Sequence, residues 1–226
     1  MGMIQQGAPF EIIADLAKLA GITTFVETGT FQGKTTRWAS QHFQSVFTIE
    51  RAEGLYRQHS AALRALGNVE PLFGDSAKLM PEVVARMGDR PALFWLDGHW
   101  SGGETAGEKD ECPLIAELET LRPRPNDIIL IDDACFFLSA PPAPHDPDQW
   151  PTLPDIVRLL TKPSHQPYVQ VVDDVIFSVP AEEKIKARLV EYARSRFTAF
   201  HQLIAKGKKR TLGQKLQQKL AKIAGK

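Results

Sequence analysis

The sequence holds little of what marks secreted or membrane chains. Only two of its 226 residues are cysteines, Cys112 and Cys135. They form no metal-ligand pattern, and a disulfide framework is not expected. No stretch approaches the roughly eighteen consecutive apolar residues of a membrane span. The opening MGMIQQGAPFEII has neither the basic start nor the long apolar core of a secretory signal. Together these absences predict a reducing, cytoplasmic setting. Acid is also missing after Glu191. Ten of the 27 Lys and Arg follow that residue, so the first 191 residues carry 17 bases against 27 acids while the whole chain sums to zero. An acidic body with a basic tail predicts an anionic partner for the tail.

What is present is alternation. TTFVET is followed by the helical GKTTRWASQHF, SVFTIE by EGLYRQHSAALRAL, VEPLFGD by LMPEVVARM, and ALFWLD by CPLIAELETL, before DIILID closes the series. Continuous apolar runs of this length suit strands covered on both faces, and their alternation with helices predicts βαβ units on a parallel sheet. The expected fold class is α/β, a doubly wound, mostly parallel Rossmann-like sheet. YVQVVDDVIFSVP, with two β-rich halves meeting at Asp173-Asp174, predicts a C-terminal antiparallel hairpin. Residues 138–154, rich in proline, predict a long irregular loop. The expected organisation is one domain over 1–204 and a basic amphipathic tail over 205–226.

Gly29 and Gly33 fall between the first strand and the first helix, in FVETGTFQGKTT. Glycines there let the backbone approach a ligand at a helix N-terminus, although a plain strand-to-helix turn uses them too. Two nucleotide-binding loops fail the test of spacing. A P-loop needs four residues between its first glycine and Gly-Lys-Thr, and GTFQGKT has three. The G-x-G-x-x-G fingerprint fails because Phe31 stands where its second glycine belongs.

The apolar runs ALFWLD and DIILIDD end abruptly in acid, at Asp97 and at Asp132-Asp133. Three carboxylates brought to one sheet edge repel each other unless a cation sits among them. Oxygen-only ligands suit Mg²⁺, Ca²⁺ or Mn²⁺. The alternative is that one of them caps a helix and the others face water.

The pattern Glu27-x-Gly29-x-x-x-Gly33 resembles motif I of class I S-adenosylmethionine (SAM)-dependent methyltransferases. The resemblance implies that Glu27, Thr28, Gly29 and Gly33 line the methionine side of SAM. It places Glu50, at the end of the second strand, on the ribose, and Asp75 and Ser76 near adenine. DGHW followed by IDDA narrows this to a resemblance with metal-dependent, macrocin-type sugar O-methyltransferases. In that family an acid after strand four and an acidic pair after strand five ligate Mg²⁺, which implies Asp97, Asp132 and Asp133 as ligands here, with Mn²⁺ as the second choice of metal. His99 takes the place of the family's base, where relatives have Asp. SGGETAGEKDECPL is unlike the usual short connection, so the acceptor is not carried over.

His99 is thus expected to be the general base, since three acids already suit a hard cation. Trp100, Phe136, Phe137 and Trp150 are expected to wall the acceptor site, and loops 101–111 and 138–154 to act as lids. His42, His59, His145, His165 and His201 have no comparable setting. The implied activity is metal-assisted O-methylation of a sugar or similar small polar hydroxyl. The rivals are an RNA methyltransferase using the basic tail and a non-catalytic SAM- or metal-binding module. An acidic body without an RNA-binding module argues against nucleic acid as the partner. In the tail, Leu212, Leu216, Leu220 and Ile223 fall on one helical face beside Lys215, Lys219 and Lys222. That stripe predicts packing on the domain, a homo-oligomer contact, or peripheral attachment to the inner face of a membrane.

Overall fold

The computed structural model describes residues 7–100, 102, 107, 110–122, 124–161 and 166–224, with side chains among these up to residue 204. In chain order the elements are α1 (Phe10–Ala20), β1 (Thr24–Thr28), α2 (Lys34–His42), β2 (Ser45–Glu50), α3 (Glu53–Arg64), β3 (Val69–Phe73), α4 (Ser76–Met87) and β4 (Leu93–Leu96). There follow α5 (Leu114–Leu121), β5 (Ile128–Ile131), α6 (Cys135–Leu138), a 3₁₀ turn (Pro147–Gln149), α7 (Leu153–Leu160), β6 (Tyr168–Val172), β7 (Val175–Val179) and α8 (Glu183–Ala224).

The strands form one sheet in the order β3-β2-β1-β4-β5-β7-β6. β1 to β5 are parallel, and β7 runs antiparallel to both β5 and β6. The expected α/β class and terminal hairpin are both present. Every residue of β1, β4, β5 and β7 is buried, as continuous apolar strands covered on both faces require. Alternate side chains of β1 serve opposite layers. Phe25 packs edge-on to Trp38 of α2, while Val26 joins a core built with Met80 and Val83 of α4, Leu118 of α5 and Ile156 of α7.

Chain order reverses direction between β1 and β4, which pair from Phe25↔Leu93 to Thr28↔Leu96. Open α/β sheets bind ligands beyond the carboxyl ends of strands at such a reversal. The expected site residues lie at or just beyond the carboxyl ends of β1 to β5, on the edge where that reversal falls.

Two differences from the expected elements have local causes. The alternation read from the sequence begins at β1, and the structure adds α1 before it, burying Ile12, Ile13, Leu16 and Ala17. The proline-rich loop is shorter than expected, because Thr152 and Asp155 form a capping box that starts α7. Pro154 sits in that first turn, where its missing N–H is no loss.

The chain divides into two compact units, Met1–Arg188 and Leu189–Lys226. In the first, Arg188 donates to Asp15 Oδ2 of α1 at 2.6 and 2.9 Å. The backbone of α8 stays helical to Ala224, but the expected stripe of Leu212, Leu216, Leu220 and Ile223 lies outside the residues whose side chains are described. The lid expected at 101–111 lies largely outside the described residues. No described helix is long and apolar enough to cross a membrane.

Candidate active site

The turn after β1 is built against the end of β4. Gly29 has φ 79°, and a β-carbon there would stand 2.1 Å from the carbonyl oxygen of Asp97. No side chain fits that gap. The amides of Gly29 and Thr30 donate to the carbonyl of Ile49 at 3.0 and 3.3 Å, so β1, β2 and β4 all fix the turn. Gly33, at φ 72°, directly precedes α2.

Glu27 and Glu50 brace this turn from two sides. Glu27 is buried, and its Oε2 accepts from Thr48 Oγ1 at 2.7 Å and from Thr36 Oγ1. Burial pushes its pKa up to about 7, against the lowering effect of the two hydroxyls. The resemblance puts Glu27 beside the methionine portion of SAM; in the structure its described bonds hold α2 and β2. Glu50 Oε2 accepts from the Phe31 amide of the turn at 2.8 Å, and Oε1 from Ala52 at 2.7 Å. Its burial outweighs these amides and raises its pKa.

The β3 end supplies Asp75 and Ser76. Asp75 caps α4 through Ala77 at 3.1 Å and pairs with Lys78 at 3.5 Å. Gly98 brings three strand ends together: a β-carbon on it would lie 3.0 Å from Thr28 Oγ1 and 3.4 Å from Ser76 Oγ. Thr28 Oγ1 also accepts from the Asp97 amide at 3.2 Å.

The acids at β4 and β5 meet around His99. Its Nε2 lies 2.8 Å from Asp133 Oδ2 and 3.9 Å from Asp97 Oδ1. Asp133 has a left-handed backbone, φ 52°, a conformation that non-glycine residues rarely adopt outside functional or over-determined sites. Desolvation, then the charge of Asp132, holds the Asp97 carboxyl well above its usual range. Asp132 is pushed up to about 6 by burial and by Asp133. Burial also works to raise Asp133, but the hydrogen bond from His99 outweighs it and the net shift is downward. Burial lowers His99 and the same bond raises it, with a net rise.

These oxygens suit a hard cation, and the mutual repulsion of Asp97 and Asp132 is what a cation would relieve. Among the described residues, however, no three His, Cys, Asp or Glu side chains converge on one point as metal ligands would. Asp133 turns to His99 instead. The donor chemistry fits a divalent ion, and convergence would require these side chains to move.

Three participants escaped the sequence reading. Glu117 of α5 is 1% exposed and lines a cavity of about 10 Å³ with Gly98, His99, Cys112 and Phe137, room for about one water. Its Oε1 has no hydrogen-bond partner among the described residues, and burial pushes its pKa up to about 7 against the hydroxyls of Ser76 and Thr28. The signal was present: Leu114, Glu117, Leu118 and Leu121 share the buried face, and an acid on an apolar stripe is out of place.

Asp174, in the hairpin turn, is the second. Its Oδ1 accepts from Cys135 N at 2.8 Å and its carbonyl from Ala134 N at 2.9 Å, anchoring the backbone just after Asp133. Glu111 is the third. It accepts from Trp150 Nε1 at 2.6 Å, bonds His145 Nδ1 at 2.9 Å and accepts from Asp146 N at 3.0 Å. His145, given no role from sequence, is thereby placed among Trp100, Phe136 and Trp150, with ring centroids at 5.2 to 5.4 Å. The four aromatic residues expected to wall the acceptor do gather, with Trp150 at 5.3 Å from His99, but both tryptophans are buried.

No protein-family model matches the sequence, and no curated protein matches it. Solved structures do. One is the O-methyltransferase TomG from Streptomyces achromogenes, involved in tomaymycin synthesis and solved with SAM. It is 18% identical over 79% of this chain and 82% of its own, with a TM-score of 0.53. Another is an O-methyltransferase from Bacillus cereus solved with SAH, 16% identical over 77% of this chain and 82% of its own, with a TM-score of 0.51. What this chain shares with both is the fold, a Rossmann-like sheet ending in an antiparallel β5-β7-β6 arrangement.

Proposed function

We propose that the chain is a SAM-dependent O-methyltransferase acting on a hydroxyl of a sugar or similar small polar acceptor, assisted by a divalent cation. The observation that carries this reading is the contact between Gly29 and Asp97. It sets the glycine turn directly against the acids of the next strand, so that a donor and an acceptor bound at these two places would be neighbours.

On the donor side, the amides at the start of α2, which a helix N-terminus leaves without intrahelical acceptors, suit the methionine portion, with Thr28 at the end of β1. Glu50 can accept from ribose hydroxyls through lone pairs left by Phe31 and Ala52. Ser76 and the second oxygen of Asp75 suit the adenine edge. Bound there, SAM supplies a methyl group on a sulfonium, whose carbon–sulfur bond breaks with both electrons going to sulfur.

On the acceptor side, His99 takes the hydroxyl proton as the oxygen attacks the methyl carbon. Asp133 holds Nε2 of that ring as the N–H tautomer, which leaves Nδ1 to receive the proton, and then stabilises the imidazolium. Once their side chains converge, Asp97, Asp132 and the Asp133 oxygen not bonded to His99 would hold the cation, most suitably Mg²⁺, which would lower the pKa of a hydroxyl beside it. Trp150, itself packed on Phe136, covers the ring of His99 and limits its access to water.

Incubation of the purified chain with methyl-labelled SAM and a panel of sugars, with and without chelator, tests the reading by mass spectrometry of the products. A product heavier than its acceptor by one labelled methyl group in place of a hydrogen, formed only with metal, is expected. SAM binding without turnover on any hydroxyl would favour a binding module. Methyl transfer to RNA in the presence of chelator would favour the RNA reading.

A further inference from the structure

The first unit buries its large apolar side chains with few exceptions, whereas the second, after Leu189 and Tyr192, displays those that are described. Of eight large hydrophobic residues exposed among those described, four fall between residues 197 and 204: Phe197 at 66%, Phe200 at 46%, Leu203 at 70% and Ile204 at 39%. At 100° per residue Phe197, Phe200 and Ile204 share one face of α8, and Leu203 borders it. Such clustering on an otherwise polar surface marks a place where something binds.

Charge decides what. Around and beyond this face the sequence carries Arg194, Arg196, Lys206, Lys208, Lys209 and Arg210, then four more lysines, and no acid. A second copy of the same face would set like charge against like. RNA would satisfy the bases and leave two phenylalanines and two aliphatic residues in water. An anionic bilayer meets both demands, with phosphates for the bases and an acyl boundary for the rings.

We propose that α8 docks on an anionic phospholipid surface, inserting Phe197, Phe200, Leu203 and Ile204 at the headgroup boundary while the flanking Lys and Arg contact phosphates. The helix lies along the surface, being too polar to cross it. Each base near the surface contributes about fivefold in affinity. Such docking would occur whether or not the sheet edge transfers methyl groups.

Co-sedimentation of the full chain with vesicles tests this. Binding is expected to equimolar phosphatidylglycerol and phosphatidylcholine, to weaken as salt rises, and to be absent with phosphatidylcholine alone. Phe197→Ser with Phe200→Ser should weaken binding at least about tenfold while leaving the helical circular dichroism signal unchanged. Lys208→Glu with Lys209→Glu should weaken it through charge alone. Failure to sediment with the anionic vesicles, or undiminished binding by both variants, overturns the proposal. So does a dimer in lipid-free light scattering that the phenylalanine variant disperses, or displacement from the vesicles by single-stranded RNA.

Discussion

The indole nitrogen of Trp150 donates to Oε2 of Glu111, 39 residues earlier, at 2.6 Å. One buried carboxylate thus joins the segment after β4 to the proline-rich loop, and it does so with three donors from that loop. The bond also holds Trp150 where its ring meets His99.

Glu111→Ala should therefore cost about 3 kcal/mol in urea unfolding at pH 7, because buried donors lose a charged partner. Burial would raise this carboxyl, but Trp150, Asp146 and His145 outweigh it and hold its pKa below the ordinary 4.5. A depressed pKa gives stability that is present above 4.5 and lost as pH falls through the lower folded value. Acid titration of stability should show this slope in the parent and a smaller one in the variant. Identical slopes would mean that Glu111 is not the anchor.

Glu117 should behave in the opposite sense. Its folded pKa of about 7 lies above the ordinary 4.5, so ionising it in place opposes folding as pH rises between those values. Glu117→Gln should match the parent near pH 4 and exceed it by up to about 3 kcal/mol at pH 8. A variant less stable than the parent at pH 8 would show that the carboxylate is satisfied after all.

For the donor, calorimetry should detect SAM binding to the parent. Gly29→Ala should abolish it and lower the melting temperature, since the added carbon would meet the Asp97 carbonyl at 2.1 Å. Glu50→Ala should weaken it about tenfold or more through the loss of charged hydrogen bonds. No heat with the parent at high micromolar SAM would remove the donor reading.

At the acids, Asp132→Asn should weaken Mg²⁺ or Mn²⁺ affinity and leave SAM affinity nearly unchanged, because the donor contacts lie on earlier strands. His99→Ala should lower turnover about 10²-fold or more. An unchanged rate would exclude His99 from proton transfer.

Much of the sheet was readable because β1, β4 and β5 are short apolar runs with abrupt polar ends. The polar ends of β2 to β5 also singled out Glu50, Asp75, Asp97, Asp132 and Asp133 as candidates, and the structure places them along one edge of the sheet. Periodicity carries no such information across a fold. The bonds from Glu111 to Trp150 and from Asp174 to Cys135 each span 39 residues, and neither partner stands out in its own segment. His145 looked idle for the same reason. Its partners come from three separate stretches of chain. Whether the acids converge on a metal is a matter of side-chain placement, which strand-end spacing does not determine.

The anchoring of Ala134 and Cys135 by Asp174 sets an order on biosynthesis. The acids of β5 leave the ribosome well before the turn that fixes the backbone beside them, and β7, which completes the sheet next to β5, comes later still. A nascent chain halted before Asp174 carries every acid of the site but lacks both of these anchors. Fixing of the backbone after Asp133 therefore waits for the hairpin, and a truncated product released early would carry the acids without that support.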